Sequence, residues 1–112
     1  MRTVPIPIYG GKLIVARTEA EFDAAYKKLL VGTGNGYTEE SATLTAGGAT
    51  NHIVADNQLV IVSGVFGRSS SIRCHEATHC AQVVAEAVCM NPITEREAFA
   101  YLAQWFFQEL GR

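Results

Sequence analysis

The order of apolar patterns along the chain predicts an α+β domain, with two short strands, a helix, further strands and then two helices. Three stretches carry that expectation. Gln58 to Phe66 contains Leu59-Val60-Ile61-Val62, a β-branched run bounded by turn residues, and reads as a strand. Ser70 to Met90 reads as a helix, with hydroxyls at Ser69, Ser70 and Ser71 to cap its start and Asn91-Pro92 to stop it. Thr94 to Leu110 reads as a second helix on the apolar row Phe99, Leu102, Phe106 and Leu110, broadened by Ala98 and Trp105 and ended by Gly111. The chain has 112 residues, so residues 1–112 are expected to form one domain around one core.

The earlier elements follow in order. Thr3 to Tyr9 and Lys12 to Arg17 read as two strands across Gly10-Gly11, and Pro5 and Pro7 push the first to a sheet edge. Thr18-Glu19-Ala20-Glu21 has the spacing of a capping box. Phe22, Ala25, Tyr26, Leu29 and Leu30 then form the stripe of an amphipathic helix that ends at Gly32. Gly-Thr-Gly-Asn-Gly from Gly32 lacks the Lys-Ser/Thr ending of a phosphate loop and follows a helix, so it reads as a connection. Ser41 to Thr45 and Asn51 to Ala55 are expected as short strands separated by Gly47-Gly48, with Asp56-Asn57 turning the chain into Gln58.

Composition excludes several classes of function. A net charge of −2 and a pI near 5.9 do not suit a nucleic-acid surface. No apolar run is long enough for a membrane span, and 48% apolar with 18% charged residues describes a folded globule. The first sixteen residues, broken by prolines and glycines, do not read as a secretory signal. Cys74 and Cys80 lie six apart on one helix and turn away from each other, so reduced, buried thiols and a cytoplasmic location are expected.

The long helix carries His75-Glu76-Ala77-Thr78-His79. Histidines four apart lie one turn apart on the same face, where both imidazoles reach one ion. Glu76 is turned one step round, beside a metal-bound water and outside the ligand set. The small apolar face of Cys74, Ala77, Ala81, Val84 and Val88 is expected to be buried, leaving the histidines to a cleft. The bland alternative is a core helix with two satisfied histidines.

A catalytic zinc takes three protein ligands and a water. Glu97, eighteen residues after His79 on the last helix, is the favoured third ligand, and Glu95 is the fallback. Thr94-x-x-Glu97 is also a capping box, which competes for the same carboxylate. Tyr101 and His52 are candidates to donate to an oxyanion, or to support the site as ordinary neighbours.

His75-Glu76-x-x-His79 followed by Glu97-Ala98-Phe99-Ala100-Tyr101-Leu102 resembles the gluzincin branch of zinc metallopeptidases, in particular the very small zincin-like forms encoded by phages and bacteria. The resemblance covers roughly residues 58 to 105. It implies one Zn2+ held by His75, His79 and Glu97, with Glu76 as general base for hydrolysis of a peptide or protein substrate. It also implies a mixed or antiparallel sheet of three to five strands packed on the active-site helix. An extended peptide would then pair with the strand before the motif, along Val60 and Val62. Two departures from larger gluzincins stand out: there is no C-terminal lobe and no evident downstream electrophile motif. A zinc-containing binding module without efficient catalysis, or a metal-free structural or regulatory phage protein, are the other classes open.

Overall fold

A computed structural model describes residues 1–32 and 47–112. The expected connection after Gly32 and the expected strand Ser41 to Thr45 lie outside the described residues. In chain order the elements are β1 (Arg2–Pro5), β2 (Lys12–Ala16), α1 (Glu19–Gly32), β3 (Gly48–Ala55), β4 (Gln58–Val65), α2 (Ser70–Ala87) and α3 (Arg96–Leu110). The strands form one mixed sheet in the order β1-β2-β4-β3, so the fold is α+β as the element order predicts. β1 pairs antiparallel with β2, β2 parallel with β4, and β3 antiparallel with β4.

Helices cover both faces of this sheet, and strand alternation decides which side chain meets which helix. Leu13, Val15, Ile61 and Val65 point to α2 and α3, packing with Ala77, Ala81, Val84, Leu102, Phe106 and Leu110. Ala16, Ala49 and Val62 point the other way, onto Phe22 and Ala25 of α1, and Val60 and Ile53 meet Leu30. β4 is therefore paired on both edges and covered on both faces, which is why it reads as a continuous apolar run. This corrects one expectation: Val60 and Val62 are buried against α1, on the opposite face from the histidines, and cannot receive a substrate strand. The edges are β1, as its prolines require, and β3.

β3 is longer than the sequence suggests, because pairing with β4 extends it from Gly48↔Val65 to Ala55↔Gln58. Asp56 and Asn57 close the hairpin at φ 53° and 60°, the left-handed pair that suits the twist of a two-residue turn. At the start of α1, the Glu21 amide donates to Thr18 Oγ1 at 3.1 Å and the Glu21 carboxylate accepts from the Arg17 amide at 2.8 Å. The predicted capping box forms, reaching back one residue further than expected.

α2 begins where expected, with Ser69 Oγ accepting from the Ile72 amide at 3.2 Å. It stops three residues before the expected Met90, and not because of Pro92. The Cys89 amide donates to Glu86 O and the Met90 amide to Ala85 O, while Cys89 takes φ 57°. That paired closure normally uses glycine at the left-handed position. Cys89→Gly is expected to stabilise the protein by about 1 kcal/mol, read as a rise in the urea midpoint at unchanged slope. No gain would mean that the left-handed residue carries no strain.

The apolar face of α2 also needs correction. Ala77, Cys80, Ala81, Val84 and Ala85 are buried, but Cys74 and Val88 are exposed. α3 lies along α2 with Leu102, Phe106 and Leu110 inward. At its C-terminal end Arg2 Nη1 pairs with the buried Glu109 carboxylate at 2.8 Å and a second Arg2 nitrogen donates to the Glu109 carbonyl. Arg17 Nη1 donates to Leu110 O at 3.2 Å. Two cations from the first two strands thus complement the negative end of the last helix. No helix among the described residues is long and apolar enough to cross a membrane.

Candidate metal centre

α2 follows β4 after a short turn and lies across β4 and β3, so its outward face borders the edge strand. His75 and His79 stand there, one turn apart and exposed to solvent. Their Nε2 atoms are 3.0 Å apart, with the rings nearly perpendicular at 85°. Two nitrogens each ~2.0–2.1 Å from one zinc at a near-tetrahedral angle would stand roughly 3.0–3.4 Å apart. The observed 3.0 Å is the length of an N···N hydrogen bond between the two rings and falls at the short end of that range. His79 Nδ1 lies 3.1 Å from Gln82 Oε1, a contact that suits the tautomer protonated at Nδ1, with Nε2 facing His75.

Glu76 lies one step round the helix from the histidines, buried but still at the wall of the same space. Its Oε1 accepts from Thr50 Oγ1 at 2.7 Å, Thr50 Oγ1 lies 2.7 Å from Ser63 Oγ, and Ser63 donates to the Ala49 carbonyl at 3.2 Å. The carboxylate is thus held by the Thr50 hydroxyl of β3, which in turn is in contact with the Ser63 hydroxyl of β4. Gly48 lets it sit there, since a Cβ at that position would stand 2.9 Å from Glu76 Cγ and 2.7 Å from Ile72 Cγ2.

These side chains line one open depression of about 450 Å³, formed by Thr50, Asn51 and His52 of β3 and by His75, Glu76, His79, Gln82, Val83 and Glu86 of α2. A larger cavity, about 690 Å³, lies on the α1 side, away from both histidines. No protein-family model matches the chain. No curated protein and no solved structure matches it either. The reading of the site therefore rests on its own geometry and on the sequence resemblance.

Several expected site residues fall elsewhere. His52 lines the depression, but Tyr101 does not and is largely exposed on α3. Among the described residues, no three His, Cys, Asp or Glu side chains are grouped closely enough to hold an ion. Glu97, the favoured third ligand, is exposed on the first turn of α3 and does not join the histidine pair. Its competing role is not realised either. α3 starts at Arg96 with Glu95 at the cap, and no side chain caps it. The fallback Glu95 accepts from the Asn91 amide at 2.9 Å, while Asn91 Oδ1 accepts from the Ile93 and Thr94 amides, so these two residues close the loop that Thr94-Glu97 was expected to close.

Thr50, Ser63 and Gln82 are the supporting residues that sequence reasoning missed. Gln82 was findable, three residues after His79 on one helical face. Ser63 also gave a signal, as a hydroxyl inside the apolar run Val60 to Val65.

Cys80 lies beneath Glu76, wholly buried near Thr50 and Ser63. Burial pushes its thiol up to about 12, with the nearby Glu76 charge adding to the rise and the hydroxyls opposing it. A thiol so held is neither a nucleophile nor a ready thiolate ligand. All three cysteines are free. In the native protein at pH 8, a thiol reagent is expected to modify Cys74 and Cys89 quickly, and Cys80 at least about a hundredfold more slowly until denaturant is added, because only the exposed thiolate reacts. Three equal rates would contradict this burial.

Proposed function

We propose that the chain is a zinc-dependent peptidase acting at the His75/His79 depression. What supports the reading most is the pair of Nε2 atoms at 3.0 Å beside a carboxylate fixed by Thr50. A bound zinc would supply an acidified water and polarise a carbonyl. Glu76 is oriented by one hydroxyl bond to Oε1, and its role is to take the water's proton and return it to the leaving amine. Gln82 keeps the His79 tautomer that leaves Nε2 free to bind.

In this reading the substrate strand lies on β3, which lines the depression and has no strand paired to its outer edge among the described residues. His52, on the same strand, is the donor best situated for a developing oxyanion. Glu97, the third ligand that the sequence resemblance implies, stands apart from the pair, so Glu86 and His52, which share the depression, are the nearer candidates for that role. A binding module that holds zinc without turnover is the second reading, favoured by a depression lined by neither lysine nor arginine.

Metal analysis of protein purified without added zinc tests the site. Close to one ion per chain is expected, lost in His75→Ala and His79→Ala, and under about half an ion in wild type would count against it. Zinc affinity of Glu97→Ala, Glu86→Ala and His52→Ala then assigns the third ligand. Zinc-dependent cleavage of an unfolded protein separates peptidase from binding module.

A further inference from the structure

The start of α2 carries a second group of side chains that the proposed peptidase does not use. A cavity of about 310 Å³ is lined by Arg17, Arg68 and Arg73, by Gly67, Ser69 and Ser70 at the start of α2, and by Val65, Leu110 and Gly111. Three of the chain's nine basic residues meet there, in a protein of net charge −2, and no carboxylate side chain among the described residues lines the cavity.

Local packing does not use up these guanidinium groups. Arg17 gives one N–H to Leu110 O. Arg73 stacks on Phe107, with Cζ 3.6 Å from the ring centroid, and its Nε is buried with no hydrogen-bond partner. Among the described residues none of the three pairs with a carboxylate, although Arg2 and Arg112 nearby both pair with Glu109. That Nε is sealed from solvent, so a ligand in the cavity would meet the terminal guanidinium nitrogens, of which Arg73 Nη1 lies beside Gly111 at the cavity wall. Guanidinium forks match the oxygens of a phosphate two at a time, and the first turn of α2 adds its positive end.

We propose that this cavity is a binding site for a phosphate-type oxyanion, held chiefly by Arg68 and Arg73 with Arg17 at its wall. His75 lies two residues after Arg73 but lines a different depression, so the site does not rest on the metal reading. Free phosphate and a phosphate monoester on a larger molecule share this chemistry.

Calorimetric titration of the full chain, stripped of metal with a chelator so that phosphate cannot bind zinc, tests the proposal. Inorganic phosphate is expected to bind with one-to-one stoichiometry at constant ionic strength, and chloride is not. Arg68→Ala removes an exposed side chain and should weaken binding about tenfold or more, the size of one lost charge-assisted hydrogen bond. Arg73→Lys keeps the charge and loses the fork, and a similar loss is expected; circular dichroism checks that both variants stay folded. O-phosphoserine in place of phosphate identifies the source: tighter binding assigns a monoester, weaker binding the free anion. A response no greater than that to chloride, or folded Arg68→Ala and Arg73→Lys variants that bind like wild type, overturns the site.

Discussion

Glu76→Gln is expected to lower zinc-dependent cleavage of an unfolded protein by about 10²–10⁴-fold, the contribution of a positioned general base, since an amide cannot accept the proton. The substitution keeps shape and volume, and the Gln carbonyl oxygen can still accept from Thr50 Oγ1, which now holds the carboxylate at 2.7 Å. Zinc content and thermal midpoint should therefore stay within error of wild type. That combination separates the base from a structural residue: a Glu76 that merely filled the space under β3 would show its loss in stability, not in rate. Equal rates for the two proteins would end the assignment.

Gly64→Ala is expected to cost about 3 kcal/mol, the upper range for overpacking a closed interior. Gly64 pairs with Ala16 in the parallel β2/β4 register, at the centre of the sheet. A Cβ there would collide with the Ala16 carbonyl oxygen and stand 2.9 Å from Phe66 Cε1. The carbonyl belongs to the ladder and cannot retreat without loosening the pairing that carries β4 into α2. At about 4–8 °C per kcal/mol for a domain of this size, the thermal midpoint should fall by roughly 12–24 °C. Strand propensity alone points the other way, since alanine in a strand interior normally gains over glycine. A variant as stable as wild type would show that β2 and β4 do not approach so closely.

What the sequence discloses here follows the range of the interactions involved. The histidine pair, Ser69 at the start of α2, the Thr18-Glu21 box and the Asp56-Asn57 turn all lie within a few residues of their partners. Local spacing determines them, and they were legible. The position of β4 between β2 and β3 depends on a parallel pairing across α1, which no window of sequence contains, so Val60 and Val62 were assigned to the wrong environment. The Thr50 partner of Glu76, and Ser63 behind it, come from other elements for the same reason. The end of α2 was misjudged because Cys89 occupies a conformation that composition reserves for glycine.

The β3-β4 hairpin and α2 form one contiguous segment, Gly48 to Ala87, and every described side chain lining the histidine depression belongs to it. Its contacts are short in sequence, whereas β2 must close a long loop to reach β4. The two walls of the depression can thus assemble before the N-terminal half docks. During refolding, amide protection is expected to appear in β3 and α2 ahead of β1, and simultaneous protection throughout would show a single concerted step.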